Sequence, residues 1–303
     1  MRAIDFVSFP ADNAHGAAFE RSAVRDKLHH DPAYAAWSRH RKIKKEITEA
    51  YGALRAVRGV VGRSRVPQTR GEACAGDDCD GEDLVFLELC SGRGFVSIVF
   101  ADAYPKARVY MLDIDSKMDV SHLEALERVT FHLQDLHSNE CEAFIRSVCR
   151  EAGHDKTVIL VGVHLCGALA PRAIELYESV AEIAALVLSP CCLPQRRRHD
   201  VFGYHCVDIA RAIKSVTAYQ CWCTQLFFHV PVSSRRNMII DHDMLSQQNA
   251  FITALKPPLD FFKALTVASP SVQTIIPGRV CAKWKILPSS TKGDSHSESK
   301  SAS

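Results

Sequence analysis

The sequence has no uninterrupted apolar run of about eighteen residues, the length that a membrane-crossing helix needs. Its start also lacks a secretory signal, because Asp5 interrupts the first nine residues and no long apolar segment follows. We therefore predict a protein with no membrane contact. Asp12 and Glu20 argue against an organellar transit peptide, although the first 25 residues contain Ala and Arg. A cytoplasmic or nuclear location is expected, and organellar targeting stays open.

Paired Cys-x-x-Cys knuckles, the strongest sequence sign of a zinc site, are also missing. The chain has 12 cysteines among 303 residues, and many of them sit inside apolar runs. That distribution indicates free, mostly buried thiols in a reducing compartment. We predict no metal site.

The formal net charge is close to zero, at +2, so the net charge by itself does not indicate a polyanionic partner. The distribution is uneven, however. Between Arg21 and Arg58 there are ten Lys or Arg residues against four acids. Apolar residues recur there at three- and four-residue steps, which predicts an amphipathic helix with one basic face. That face is either a solvated surface or a surface that meets phosphates.

Four regions follow from the pattern along the chain. Residues 1–62 form an N-terminal helical basic extension, and residues 63–83 form an acidic linker containing Gly and Pro. Residues 84–287 form the main domain. Residues 288–303 contain seven serines and are expected to be a disordered tail.

Short apolar runs alternate with helical spacing from Leu84 onward, which predicts an α/β fold. We expect a Rossmann-like, doubly wound, mostly parallel sheet with helices on both faces and the N-terminal helical extension added to it. Strands are predicted at residues 84–89, 108–112, 129–133, 158–165 and 185–188. Farther along, we predict a helix over residues 204–229, a strand at 237–240, a helix at 246–255 and a final strand at 279–287.

A glycine segment follows the first strand, as Glu88-Leu-Cys90-Ser-Gly92-Arg-Gly94-Phe95. Glycines there let the backbone approach a ligand, and the next helix presents its N-terminus to it. In an open parallel sheet, ligands bind outside the carboxyl ends of the strands. The segment therefore predicts a nucleotide site.

Three acids at successive strand ends indicate which nucleotide is bound. Glu88 would repel a pyrophosphate but would favour the ammonium group of a sulfonium cofactor. Asp113 ends the second strand, where an acid binds ribose hydroxyls. Asp135, followed by Leu136, comes after the third strand and can accept a hydrogen bond from an adenine amino group. Together they predict S-adenosylmethionine.

The same residues carry a family resemblance. Residues 84–192 resemble the class I, Rossmann-like S-adenosylmethionine-dependent methyltransferases, whose pattern is acid-x-Gly-x-Gly-x-Gly, except that Cys90 replaces the first glycine. With His164-Leu-Cys166-Gly167 and Ser189-Pro-Cys191-Cys192, the sequence resembles the methyltransferase-domain-32 type. That group is similar to the tRNA 2′-O-methyltransferase group with HLCG and CC motifs, although the zinc-finger segments of that relative are missing here. The resemblance implies cofactor contacts by Glu88, Cys90, Gly92, Gly94, Phe95, Asp113, Asp135, Leu136 and His164.

The reacting end of the pocket is expected where the fourth and fifth strands end. Methyl transfer mainly requires alignment of the acceptor, and a base is needed only where the acceptor loses a proton. His164 has a suitable side chain, or else is a structurally hydrogen-bonded histidine. Cys191 and Cys192 are further catalytic candidates, including a covalent thiolate attack on a pyrimidine.

A zinc cluster is the alternative for these cysteines, formed by His164, Cys166, Cys191 and Cys192 with help from Cys206, Cys221 and Cys223. Neighbouring residues of a strand point to opposite faces. Cys191 and Cys192 are therefore not expected to bind one ion together.

Arg196, Arg197 and Arg198 follow the last motif and are predicted to bind a phosphate-bearing substrate at the pocket mouth. With the basic N-terminal helix, they favour RNA over protein as the acceptor. The alternatives are a non-catalytic RNA-binding module on the same fold and an NAD-dependent oxidoreductase. The sequence leaves the oligomeric state open.

Overall fold

The computed structural model describes residues 3–64, 80–193 and 217–257, which lie within one compact unit, Met1–Pro257. Its helices are α1 (Ala14–Glu20), α2 (Ala23–His30), α3 (Ala35–Ser38), α4 (Ile43–Ser64), α5 (Phe95–Ala103), α6 (Asn139–Ala152), α7 (Leu169–Ser179) and α8 (Ala218–His229). Short 3₁₀ turns occur at Ala3–Phe6, Pro32–Tyr34 and Ser121–Ala125. None of the described helices combines the length and apolar character needed to cross a membrane.

A seven-stranded sheet forms the centre of this unit. Its strands are β1 (Leu84–Leu89), β2 (Arg108–Asp113), β3 (Val129–Leu133), β4 (Thr157–Leu165), β5 (Ile183–Pro190), β6 (Arg235–Ile240) and β7 (Ala250–Leu255). Their order is β3-β2-β1-β4-β5-β7-β6. The first five strands run parallel, whereas β7 is antiparallel to both β5 and β6. The predicted Rossmann-like, mostly parallel sheet is confirmed.

Two apolar cores lie on opposite faces of the sheet, so the prediction of helices on both faces is also confirmed. One core packs α1, α2, α4 and α5 against residues such as Phe86, Val161 and Phe251. The other packs α6, α7 and α8 against residues that include Leu87 and Leu160. The inner strands β1, β4, β5 and β7 are therefore largely buried on both sides, which explains their continuous apolar runs.

Helix α4 belongs to the first of these layers. Ile47, Ala50 and Val57 are fully buried in the core. A Cβ on Gly52 would lie 2.9 Å from the Phe251 ring, so α4 approaches β7 closely. The basic N-terminal segment therefore reaches the sheet itself, and its polar residues can approach the strand ends.

One element was predicted wrongly. Residues 246–255 were expected to be helical, but residues 250–255 form the strand β7. All six of its residues are buried, and a short apolar run buried on both faces carries no period that separates strand from helix. The predicted helix at 204–229 is described only as α8, and the predicted strand at 279–287 lies outside the described residues.

Candidate functional site

The glycine segment leaves β1 through several left-handed residues. Cys90, Gly92 and Gly94 have φ of 51°, 53° and 77°. For Cys90 this conformation is strained, and such strain concentrates at functional sites. The Ser91 amide donates to the Leu112 carbonyl at 3.0 Å, which fixes the segment against β2.

The two glycines have different roles. A Cβ on Gly92 would meet no atom within 4 Å, so open space adjoins the backbone there. A Cβ on Gly94 would lie 2.5 Å from the sulfur of Met111. Gly92 therefore provides the ligand-facing approach expected of both, whereas Gly94 is required by packing.

Asp113 joins the end of β2 to the same segment. Its Oδ2 accepts a hydrogen bond from the Gly92 amide at 2.9 Å, and its Oδ1 accepts one from the Asp115 amide at 3.0 Å. The half-buried carboxylate thus lies directly beside the open space at Gly92. This is the place where an acid was predicted to bind ribose hydroxyls.

Asp135 and Leu136 follow β3 but differ in exposure. Asp135 is exposed and accepts a hydrogen bond from the His137 amide at 2.9 Å. Leu136 is buried in the core beneath it. The Asp135 side chain is therefore free to contact a ligand, whereas Leu136 packs in the core and stabilises the turn.

Two exposed apolar side chains at this edge were missed by the sequence reasoning. Ile114 directly follows Asp113 and is 66% exposed, and Leu133, the register partner of Asp113, is 55% exposed. The sequence reasoning took Leu133 only as the end of a strand and gave Ile114 no role. Their position suits a flat apolar group such as an adenine ring, and the signal was an apolar residue directly after a strand-end acid.

Glu88 lies behind the glycine segment and is buried. Its carboxyl group accepts a hydrogen bond from the Ser97 hydroxyl at the start of α5. Burial raises the pKa of Glu88 to about 8, and the hydrogen bond from Ser97 only partly offsets this. The charges of Asp113 and Glu46 raise the Glu88 pKa further, which shows that α4 also contributes charge near this site.

Phe95 begins α5 and is buried rather than open to the crevice. Its ring packs against Trp37 with centroids 4.9 Å apart, and Trp37 in turn contacts His40 at 5.3 Å. The predicted contact of Phe95 with a cofactor is thus limited to its backbone. The N-terminal helices cover the outer side of the glycine segment.

His164 lies at the end of β4 with a left-handed φ of 63°. Its Nε2 is 2.5 Å from Glu49 Oε2 and 3.0 Å from Lys45 Nζ. Lys45 Nζ also lies 2.9 Å from Glu49 Oε1. His164 is therefore held by two residues of α4, and this contact was not predicted.

Glu49 could have been noticed in the sequence. It is 1% exposed although it was counted among the charges of a solvated helix. Glu49 lies two residues after Ile47 and directly before Ala50. It therefore borders the apolar face of the amphipathic helix. A carboxylate there needs a partner, because an unpaired buried charge is costly.

Three cysteines meet beside His164. Cys166 Sγ lies 3.4 Å from Cys192 Sγ, and Cys191 Sγ lies 3.5 Å from Cys192 Sγ. The expectation that Cys191 and Cys192 point apart is wrong, because β5 ends at Pro190 and both residues lie beyond its pleat. Cys221 and Cys223 lie on α8 and do not belong to this group of described residues.

Burial raises the pKa of the Cys191 thiol, and it raises that of Cys90 to about 12. Neither side chain is an activated thiolate at neutral pH by itself, which weighs against covalent attack on a pyrimidine by Cys191. Arg196, Arg197, Arg198 and Cys206 lie outside the described residues.

The comparisons with known proteins bear on this arrangement. Residues 72–198 match the family model Methyltransf_32, described as a methyltransferase domain. This segment is a methyltransferase domain. S-adenosylmethionine is its methyl donor. The alternative of an NAD-dependent oxidoreductase is therefore wrong. The segment contains the glycine loop, Asp113, Asp135, His164 and the cysteine group.

Several solved structures are similar over part of the chain. Fibrillarin from Aeropyrum pernix, in complex with natively bound S-adenosyl-L-methionine, is 12% identical, covers 58% of this chain and 68% of its own, and has a TM-score of 0.37. Fibrillarin from Methanococcus jannaschii, described as a pre-rRNA processing protein, is 11% identical, with the same coverages and TM-score.

The plantazolicin methyltransferase BpumL, in complex with a triazolic analogue and SAH, is 11% identical, covers 77% of this chain and 95% of its own, and has a TM-score of 0.40. These similarities are too weak to indicate the acceptor of this chain. No curated protein matches the sequence at a significant level.

The residues at the strand ends fit the cofactor. Gly92 offers unobstructed backbone, Asp113 offers a carboxylate beside it, and Ile114 offers an apolar surface. When bound, S-adenosylmethionine supplies an electrophilic methyl group. The protein then has to orient an acceptor and, for a hydroxyl acceptor, receive its proton.

Proposed function

We propose that this protein transfers the methyl group of S-adenosylmethionine to RNA. The observation that carries the proposal is the position of a basic segment beside the reacting end of the site. α4 begins at Ile43, and two residues in its first two turns, Lys45 and Glu49, contact His164. The residues that lead into α4 are therefore at the same edge of the sheet.

That leading segment is rich in exposed cations. Arg39, Arg41 and Lys42 are exposed, and Arg93 of the glycine segment is exposed as well. Arg93 and Lys42 both lie near enough to His40 to add to the lowering of its pKa by burial. Arg93 and Lys42 thus both lie near His40, and with Arg39 and Arg41, which flank His40 in sequence, they are here called the basic rim.

A basic rim next to a methyl-transfer site suits a polyanionic acceptor. Lys and Arg bind the phosphate backbone and fix its position, whereas the site itself selects the methylated atom. Arg196–Arg198, which follow the cysteine motif in sequence, are three further cations that we propose as phosphate ligands. A protein acceptor offers no comparable run of negative charge.

His164 is the residue proposed to face the acceptor. Its Nε2 is directed at Glu49, which leaves Nδ1 as the atom to receive a proton from a hydroxyl acceptor. Glu49 and Lys45 then act as positioning residues that fix the ring.

A labelling experiment tests the acceptor. The protein is incubated with a methyl-labelled donor and either total RNA or total protein from the host. We expect label in RNA that is removed by ribonuclease and absent with Asp113→Ala. Label confined to protein would overturn the proposal, and no turnover on any fraction would favour the non-catalytic binding module.

A pair of matched variants tests the basic rim. Arg39→Ala/Arg41→Ala/Lys42→Ala should raise the KM for RNA by roughly ten-fold or more at physiological salt, with unchanged S-adenosylmethionine affinity. The control is Lys106→Ala/Arg108→Ala/Arg128→Ala, which removes three exposed cations at the opposite edge of the sheet. Equal effects of the two triple variants would show that the rim has no special role.

A further inference from the structure

The cysteines at the ends of β4 and β5 are arranged as a compact group. Cys166 follows β4, and Cys191 and Cys192 follow β5. Their three sulfur atoms all lie within 4.8 Å of one another. Two backbone features hold them there: the Cys191 amide donates to the Leu165 carbonyl at 3.4 Å, and the Gly167 amide donates to the Cys192 carbonyl at 3.3 Å.

The spacing of the sulfurs matches a metal site. In a tetrahedral zinc site with Zn–S bonds of about 2.3 Å, neighbouring sulfurs lie about 3.8 Å apart. The two closest pairs here, at 3.4 and 3.5 Å, need to separate by only a few tenths of an ångström. A disulfide would require a much larger approach, to about 2.05 Å.

Among the residues that the structure describes, one side of the group is open. Cys166 and Cys192 are exposed, whereas Cys191 is nearly buried beneath them. His164 does not complete the set, because neither of its ring nitrogens belongs to this group of ligand atoms. Within the described residues, no other His, Asp or Glu offers a ligand atom to this group.

We propose that Cys166, Cys191 and Cys192 bind one Zn²⁺ ion through three thiolates, with a fourth position open at the carboxyl ends of β4 and β5. Thiolates select soft or borderline cations, and zinc takes them in tetrahedral geometry. Binding releases the three thiol protons to solvent, since coordinated thiols are deprotonated. No oxidant or reductant is involved.

The open position distinguishes this site from a structural one. Structural zinc sites have four protein ligands, whereas sites that meet a substrate have three and keep one position for water or substrate. Here that position is at the edge that also holds His164 and the glycine segment. The ion would therefore meet the acceptor rather than stabilise a loop far from the reaction.

Metal content tests the proposal without any activity assay. The native chain is purified under anaerobic, reducing and chelator-free conditions, and zinc is measured by mass spectrometry. We expect about one ion per chain, and a near-complete loss in Cys166→Ser/Cys191→Ser/Cys192→Ser. The control, Cys141→Ala/Cys149→Ala, removes two buried α6 cysteines and should keep the zinc.

Cobalt provides a second measurement on folded protein. Co²⁺ added to the metal-free native chain should give thiolate-to-metal charge-transfer absorption, and its intensity should fall by about a third with Cys192→Ser, which removes an exposed sulfur. Circular dichroism confirms that each variant is folded. Zinc retained by the triple variant, no cobalt–thiolate band in the folded native chain, or a Cys166–Cys192 disulfide in the reduced preparation would each overturn the proposal.

Discussion

His164 Nε2 lies 2.5 Å from Glu49 Oε2, which joins the end of β4 to the N-terminal helix α4. The two residues are 115 positions apart in the chain. The Glu49 carboxylate is buried, so its charge can interact with the His164 ring with little screening by solvent. The contact brings α4 to the carboxyl end of β4.

Removing either residue of this pair should lower the rate of methyl transfer without weakening cofactor binding. For a hydroxyl acceptor we expect His164→Asn to reduce kcat on the order of 100-fold, and Glu49→Gln roughly ten-fold, because Glu49 acts through the ring. Steady-state kinetics separate kcat from KM. The control is Glu142→Gln, whose carboxylate pairs with Arg146 and Arg172 on the other face of the sheet. A rise in KM alone would contradict the assignment.

Glu88 should make stability depend on pH. Its pKa is about 8 in the folded chain against 4.5 for a free glutamate, so the folded state holds a proton that the unfolded state has lost. The stability that the protonated Glu88 retains is fully present below about pH 4.5 and is lost as the pH rises through 8. This pH-dependent change in stability should be missing in Glu88→Gln, whose side chain does not titrate.

Thermal unfolding of both proteins between pH 5 and 9 measures this effect. We expect Glu88→Gln to gain stability relative to the native chain as the pH rises, by several degrees in Tm at pH 8.5. Subtracting the two curves removes the contributions of the histidines. A difference in Tm that stays constant with pH would show that Glu88 is ionised in the folded state.

The two glycines of the loop should respond differently to alanine. Gly94→Ala forces a Cβ against the buried Met111 and should destabilise the fold by about 1–3 kcal/mol. Gly92→Ala meets no protein atom but carries the strain of a left-handed φ, so we expect a smaller destabilisation than in Gly94→Ala together with a loss of S-adenosylmethionine affinity. Denaturant unfolding and calorimetry measure the two effects. The exposed helical Gly59 has open space around it, and Gly59→Ala should be neutral or slightly stabilising. Similar affinity losses in all three variants would refute this division.

Ile114 should contribute to cofactor affinity and little to stability. Because the side chain is 66% exposed, Ile114→Ala removes little buried area from the protein itself. Covering it with an adenine ring would bury apolar surface, so we expect about a ten-fold weaker Kd. Val232→Ala, at an 80% exposed position remote from the strand ends, is the matched control. An unchanged Kd in Ile114→Ala would place the adenine elsewhere.

The sequence predicted the parallel strands closely because each is a short apolar run between turn residues. The β1 boundary at Leu84–Leu89 is reproduced, and so is that of β3. β7 was missed for a physical reason: Ala250–Leu255 is buried on both faces, and besides its neighbour β6 it pairs with β5, which is distant in the chain. No local period distinguishes such a segment from a buried helix.

The site was predictable where it depends on local motifs. Gly92, Asp113 and Asp135 follow directly from strand ends, whose position in a parallel sheet is fixed by topology. Glu49 was not predictable in this way, since its partner lies on another element. The prediction for Cys191 and Cys192 failed for a related reason. Successive side chains alternate between the two faces only within a strand, and both cysteines lie just beyond the end of β5.

Helix α4 has a consequence for how this enzyme could diversify. The segment that matches the methyltransferase model begins at residue 72, so Lys45, Glu49 and the cations before them lie upstream of it. The cofactor loop and the α4 residues beside His164 thus come from separate stretches of the sequence that share one core. Substitutions at the exposed cations upstream can change the surface offered to an acceptor while the buried residues of α4 keep their packing. A fragment that starts at the matched boundary would lose both the contact at His164 and the α4 side chains that cover this face of the sheet.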